Sequence, residues 1–392
     1  MGYALTCTPP DGNPKVVARL EEEARRPYLC PMLYRPFGQT GKHLSVIGAG
    51  CMRFETPQND RDIGRAAETL LHAHARGVNY FDTAPIYCGD RSEEIVGAAI
   101  RHLKPGTFYV SSKCGEDDGA AFRKGLERSL QRLGVDRVHF FHVWCLMNPA
   151  DWTARKRGGA VREALRAKEE GLIEHLVFSS HMDGDETAAV IAEGIFEGVT
   201  LGFNAANFRF RRAALEASAR AGLGVVTMNP LAGGLIPAHP KRFDFIRAEN
   251  DPDVVTAALR FNLSHAAITC ALVGFRDKAD VDSALAALDG FTPRTDAEIA
   301  RVERNLEESF DGLCTGCEYC LPCPADVPIP RMMDAYNMLI LEGEKKAILE
   351  RLHWQWSLDK AVAGRCTECG ACEERCTQHL PIIERLKEIR AL

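Results

Sequence analysis

Eight short apolar runs, each followed by an amphipathic stretch, constrain this chain more than any other feature. The runs are 44-LSVIGAG-50, 79-NYFDTA-84, 107-TFYVSSK-113, 138-VHFFHVW-144, 174-EHLVFSS-180, 199-VTLGFN-204, 224-GVVTMNP-230 and 268-ITCALVGF-275. Between them lie helical patterns such as 61–77, 120–134 and 278–288, where Leu126, Leu130 and Leu133 recur as one face. Glycines at 77, 134, 171 and 222 fall just past the last apolar turn of such stretches, where helices end. Strict alternation implies parallel strands joined by right-handed crossovers. Eight units in sequence fit a closed (β/α)8 TIM barrel. A doubly wound open sheet is the alternative, but it normally carries a glycine-rich fingerprint after its first strand. Here 46-VIGAGCM-52 has G-x-G without the third glycine. We expect the barrel.

The rest of the chain divides around that rhythm. Residues 1–32 read as an N-terminal extension with one polar helix over 13–26. Residues 33–48 read as a hairpin leading into the first buried strand. The barrel is expected over 33–293. Residues 294–392 form a further domain, opening with a charged helix over 294–310 and turning cysteine-rich. Seven cysteines scatter through the first 313 residues, and eight fall between Cys314 and Cys376. A net charge of −6 argues against a nucleic-acid partner. No apolar run is long enough to span a bilayer, and no secretory signal pattern opens the chain. A cytoplasmic protein with reduced thiols is expected.

Three successive strands end in titratable residues: Asp82, Lys113 and His142, with Tyr87 in the loop after the first. In a barrel all C-terminal strand ends open onto one face, where active sites lie. These four side chains should therefore converge. A phenol has an ordinary pKa near 10 and is a weak acid at neutral pH. A lysine ammonium close by favours phenolate and lowers that value. A buried lysine needs an anionic partner, which Asp82 can be. A histidine can hydrogen-bond and orient a carbonyl oxygen. Together they suit protonation of the alkoxide formed when hydride attacks a carbonyl. Each residue alone also has a plain structural role, as cap, strand end, core histidine or loop aromatic.

In FDTAPIY with GDRSEEIVG, then VSSK, then DRVHFFHVW, the chain resembles the aldo-keto reductase family over about residues 33–290. The resemblance implies a (β/α)8 barrel, NADP or NAD as cofactor, and a catalytic tetrad of Asp82, Tyr87, Lys113 and His142. It also implies cofactor contacts. Ser179 matches the first of the family's Ser-Asn pair, Ser180 replaces the asparagine, and Thr200 stands where a glutamine is usual. The segment 229-NPLAGGL-235 resembles the pyrophosphate loop, with Asn229, Leu231 and Gly233. The segment from Gly274 resembles the adenosine-side loop, with Arg276 set for a 2′-phosphate. Met228 and Asn229 stand where the family's stacking tyrosine is expected.

The cysteine runs are 314-CTGCEYCLPCP-324 and 366-CTECGACEERC-376. Three thiolates at C-x2-C-x2-C spacing can wrap one corner of a cubane cluster, the fourth coming from elsewhere. The runs resemble those of bacterial two-cluster ferredoxins, and the fusion resembles the iron–sulfur branch of the aldo-keto reductases. That resemblance implies two [4Fe–4S] clusters on Cys314, Cys317, Cys320, Cys323, Cys366, Cys369, Cys372 and Cys376. It further implies crossing, with Cys323 completing the second site and Cys376 the first. Structural zinc is the bland alternative, although zinc favours separated pairs over triplets. The segment between the runs, 336–356, reads as helix.

The functional expectation is an NAD(P)-dependent enzyme that interconverts a small carbonyl and an alcohol, with Tyr87 as proton donor. Clusters carry single electrons whereas nicotinamide carries hydride, so an electron-transfer partner protein stays open. So do two other readings: a redox-sensing or electron-transfer protein with an inert barrel, and an enzyme that uses its clusters directly in substrate reduction. Phe54, Trp144, Met147 and Trp152 are expected at the barrel mouth, where they would suit an apolar substrate.

Overall fold

A computed structural model describes residues 32–392 apart from 183, 206, 310, 311, 315–317, 357 and 377. The helix expected over 13–26, and Cys317, lie outside the described residues. Strands β1 (Tyr34–Pro36) and β2 (His43–Ser45) pair antiparallel as the expected hairpin. Eight parallel strands follow: β3 (Ile47–Gly50), β4 (Tyr80–Asp82), β5 (Tyr109–Cys114), β6 (Val138–Leu146), β7 (Ile173–Ser180), β8 (Gly198–Gly202), β9 (Gly224–Met228) and β10 (Cys270–Gly274). They close in the order β10-β3-β4-β5-β6-β7-β8-β9, with Cys270 opposite Val226 at the seam. Closure rules out the open doubly wound sheet.

The strands are rich in β-branched and aromatic residues because both faces are covered. The helices outside them are capped where the sequence supplies a polar oxygen. Asn59 accepts from the Asp62 N–H before the helix Asp60–Ala75, and Asp118 from the Ala121 N–H before Gly119–Leu133. The second helix ends at Gly134, whose φ of 70° costs a residue without Cβ little.

The hairpin closes one end of the barrel. Phe37, from its turn, packs inside with Tyr80, Phe140, Val177 and Val226. Gly198 and Gly224, at the starts of β8 and β9, make room. A Cβ there would lie 2.2 Å and 2.3 Å from the Phe37 ring. Burying a phenylalanine side chain is worth about 1.5–3 kcal/mol, so the plug holds the N-terminal end shut and leaves the C-terminal mouth to the loops.

Beyond the barrel, the helix Asp296–Ser309 leads to the cysteine-rich part. The single helix expected over 336–356 is broken. A helix spans Ile329–Glu342 and stops at Gly343 (φ 79°); Lys345–Glu350 follows and widens into a π-turn over Arg351–Gln355. Asp334 ties the pieces, accepting from Arg351 Nε and Trp356 Nε1 at 2.8 Å each. This part has its own apolar core, including Val327, Met332, Leu380 and Leu386. It also lends Leu313, Met338 and Leu341 to the barrel's outer core. Among the described residues no helix is long and apolar enough to cross a membrane.

Candidate active site

Strand register brings the polar strand ends together. Asp82 closes β4 opposite Ser111 on β5, and Lys113 lies opposite His142 on β6. Lys113 is 3% exposed and Asp82 4%. The ammonium donates to Asp82 Oδ1 at 2.6 Å and to the Thr83 carbonyl at 2.8 Å. Ser111 Oγ donates to the other carboxylate oxygen at 2.5 Å. Both charges are thus paired and hydrogen-bonded, which is what lets them be buried.

Tyr87 lies beside this pair, its ring centroid 5.3 Å from Lys113 Nζ, with Trp144 edge-on at 5.9 Å. The surrounding loop is strained: Ile86, Cys88 and Asp90 have φ of 67°, 53° and 66°. Asp90 holds it by accepting from the Ile86 N–H at 3.0 Å and from Arg132 Nη1 at 2.8 Å. Burial first, then the Asp82 carboxylate, pushes the phenol well above its ordinary pKa. The lowering expected from Lys113 is outweighed by burial and by the Asp82 carboxylate. Tyr87 is therefore a protonated phenol across the neutral range.

His142 is turned along the sheet. Its Nδ1 faces the Ser112 carbonyl at 3.2 Å and its Nε2 the Thr200 hydroxyl at 2.9 Å. A carbonyl only accepts, so Nδ1 carries the proton and Nε2 accepts from Thr200. Burial, reinforced by Lys113, lowers its pKa to about 4, which keeps the ring neutral.

The mouth opens into a cavity of about 700 Å³. Asp82 and Tyr87 line one side, and Asn229, Gly233, Gly274 and Arg276 another. Lys113 and His142 are not among the lining residues; they stand behind Asp82 and the strand ends. Phe54 and Trp152 are buried in packing, and none of the four apolar side chains expected at the mouth lines the cavity.

Residues 46–307 match the family model described as "Aldo/keto reductase family". The chain belongs to the aldo/keto reductases. It is thereby an NAD(P)-dependent oxidoreductase. Residues 313–380 match the model described as "4Fe-4S dicluster domain". Similar proteins include an L-galactose dehydrogenase of Arabidopsis thaliana, 26% identical over 65% of this chain and 87% of that one. An NADH-specific methylglyoxal reductase of Escherichia coli (strain K12) is 28% identical over 51% of this chain and 68% of that one. Among solved structures, an aldo-keto reductase from Klebsiella pneumoniae in complex with NADPH shares the fold. Its TM-score is 0.57 at 20% identity, covering 70% of this chain and 94% of that one.

In this aldo/keto reductase the residues expected to touch the dinucleotide fall into two groups. Asn229, Leu231, Gly233, Gly274 and Arg276 line the cavity. Asn229, Ala232, Gly233 and Gly234 all have positive φ, so the loop after β9 turns sharply beside it. Ser179, Ser180 and Thr200 are 1% exposed or less and line none of it. Ser179 Oγ accepts from the Cys145 N–H at 2.8 Å, Ser180 Oγ pairs with Thr187 Oγ1 at 2.7 Å, and Thr200 is taken by His142. Arg276 is gripped by Asp280, at 2.8 Å and 2.9 Å.

A second cavity gathers Cys320 and Cys323 with Cys366, Cys369 and Cys372, among Val327, Ile329 and Leu386. Among the described residues no three potential ligands converge tightly enough for a single metal ion. Thiolate sulfur is the donor that iron–sulfur clusters take, and five cysteines supply it here among apolar walls. Cys314 and Cys376 lie on another side, both close enough to act electrostatically on the buried Arg385 guanidinium.

Several site residues carried signals the motifs did not use. Ser111 shares a strand face with Lys113 at spacing two. Glu93, fully buried, accepts from Ser112 Oγ at 2.6 Å. Its position on the apolar face with Val96 and Ile100 could have marked it. Tyr319, from the first cysteine run, also lines the barrel cavity, and nothing in the barrel sequence announces it.

Proposed function

We propose that the chain interconverts a carbonyl compound and its alcohol at the barrel mouth, with Tyr87 moving the proton. The observation that carries this reading is the buried Lys113–Asp82 pair beside Tyr87, at the wall of a cavity large enough for a dinucleotide and a small substrate. A bound nicotinamide supplies or accepts the hydride. Asn229, Leu231, Gly233, Gly274 and Arg276 would hold the dinucleotide along the β9 and β10 loops. Its nicotinamide end lies toward Tyr87. Tyr87 gives its hydroxyl proton to the alkoxide oxygen in reduction, and its raised pKa keeps that proton in place beforehand. Asp82 and Ser111 fix Lys113, whose positive charge stabilises the phenolate left behind. His142, held between the Ser112 carbonyl and the Thr200 hydroxyl, ties β6 to β5 and β8 behind the site. Relatives differ in their nicotinamide, since one is named NADH-specific and a structural neighbour holds NADPH.

We assign residues 33–293 to the reductase barrel and 294–392 to a domain for two [4Fe–4S] clusters. Cys366, Cys369 and Cys372 with Cys323 would hold one, and Cys314, Cys317 and Cys320 with Cys376 the other. Cys323 meets the 366–372 run in one hollow, which supports that crossing, and Cys320 lines the same hollow, so the two sites adjoin there. Bound clusters supply one-electron chemistry or a structural tie. A cytoplasmic setting suits both these thiolates and the free cysteines of the barrel.

A second reading, a redox-responsive protein with an inert barrel, is favoured by the inward-turned Ser179, Ser180 and Thr200. Turnover separates the two. Tyr87→Phe removes one hydroxyl, and reduction of small carbonyls, methylglyoxal among them, should fall ~10²–10⁴-fold. Undiminished turnover in that variant refutes Tyr87 as donor; absence of any turnover in the wild type favours the inert barrel.

A further inference from the structure

The barrel cavity has one wall that the barrel does not make. Tyr319 stands between Cys317 and Cys320 of the first cysteine run, yet lines the cavity that holds Tyr87 and Asn229. Its ring packs 4.4 Å, centroid to centroid, from that of His181, the residue following β7. His181 is 3% exposed, and its backbone is held at both ends. Its N–H donates to the Leu146 carbonyl at 2.8 Å and its carbonyl accepts from Arg211 at 2.9 Å. Tyr319 thus rests on a fixed part of the barrel. The next residue, Cys320, lines the cysteine hollow instead. Adjacent Cα atoms are about 3.8 Å apart, so this stretch of backbone is the partition between the two cavities. Among the described residues lining the barrel cavity, only Tyr87 and Tyr319 are aromatic.

We propose that Tyr319 is a binding wall lent to the reductase site by the cysteine domain, packing against the flat ring end of the dinucleotide, and that metal held by the adjacent Cys320 keeps it there. This rests on the dinucleotide reading above. Tyr319 is a binding residue whose place depends on its neighbouring thiolate. Loss of metal from the first run releases the wall and loosens binding in the barrel. The cluster domain thereby sets the affinity of a site that it does not chemically enter.

The test titrates iron-loaded protein, purified without oxygen, with NADH and NADPH by calorimetry, and counts iron in every sample. Tyr319→Ala should weaken the tighter-bound dinucleotide about 3- to 10-fold, the range expected for one lost aromatic contact. Tyr319→Phe should bind like wild type. Tyr319→Leu, which keeps bulk beside Cys320, should weaken binding as alanine does and serves if alanine loses iron. Chelation of iron should weaken the wild type by a similar factor and have no further effect on Tyr319→Leu. Unchanged affinity in iron-loaded Tyr319→Ala or Tyr319→Leu, or equal weakening by chelation in wild type and Tyr319→Leu, overturns this inference alone. Failure of the wild type to bind either dinucleotide overturns the underlying reading and this one with it.

Discussion

The barrel and the cysteine-rich domain place their chemical groups by opposite means. In the barrel, Asp82, Lys113 and His142 sit on strands whose registers fix them, and burial is nearly complete. In the tail, Cys320 stands on a turn, Cys372 on the four-residue helix Ala371–Glu374, and the other described cysteines in loops, Cys369 exposed. The barrel residues already have protein partners: Lys113 has Asp82 and Thr83, and His142 has Ser112 and Thr200. The difference teaches that the polar strand ends of the barrel are preorganised by packing alone, whereas under the cluster reading the cysteine runs would complete their geometry on binding metal. Tyr319 matters because it crosses from the second regime into the first.

The largest expected effect breaks the barrel's side of that contrast. Asp82→Ala leaves the Lys113 ammonium buried without its anion. Removing one partner of a buried pair costs about 3–5 kcal/mol, so the urea midpoint of the barrel should fall sharply. Lys113→Met with Asp82→Ala should recover much of it. A change below about 1 kcal/mol would mean that water reaches the pair and that the site is not preorganised.

The tail's side is tested by metal. Iron should count near about eight per chain, and Cys323→Ala and Cys376→Ala should each bring it toward about four. Iron removal should raise hydrogen exchange around 314–324 and 366–376 while leaving β4 to β6 protected. Equal loss of protection in barrel and tail contradicts the contrast, and zinc in place of iron overturns the cluster reading.

A smaller effect separates the two regions by pH. Burial lowers His139 and His142 to about 4 and His181 to about 3. All three are in the barrel. In an unfolded chain imidazole takes a proton near pH 6.5. Below that pH the unfolded state binds more protons, so stability present above 6.5 is lost as pH falls toward 4. Each tenfold in proton affinity is worth about 1.4 kcal/mol, so thermal unfolding of the barrel should move down by several degrees between pH 6.5 and 4.5. A flat profile there would mean that these rings are hydrated.

The smallest effect concerns the exposed rim. Arg276 is already gripped by Asp280, and an exposed ion pair is worth about 0–1 kcal/mol. Asp280→Ala should therefore raise the affinity for NADPH relative to NADH only a few-fold, and Arg276→Ala should lower it by a similar factor. No change in that ratio would remove Arg276 from the site.

Alternation made all eight strands legible in the sequence, because a buried parallel strand leaves an apolar run whatever its neighbours are, and the glycine-containing centre of 33–48 between short β-type runs marked the hairpin. The spacing of Asp82, Tyr87, Lys113 and His142 was legible for the same reason, since strand ends of a barrel share one face. What was not legible depends on rotamers and on contacts across the chain. No pattern says that His142 turns to Thr200, that Ser179 and Ser180 hydrogen-bond inward, or that burial outweighs Lys113 in setting the Tyr87 phenol. The break at Gly343 was missed because a helical periodicity runs on past it. Tyr319 was missed because its meeting with His181 joins two motifs read as separate domains.

One measurement bears most directly on the central claim, that the barrel mouth is a nicotinamide-dependent site organised without help from substrate. It is a calorimetric titration of the anaerobically purified full chain with NADPH and with NADH. At least micromolar binding of one of them, one per chain, and blocked by a bulky substitution such as Gly233→Trp in the β9 loop, is the predicted result. No binding of either at millimolar concentration, in protein with its iron intact, would contradict it.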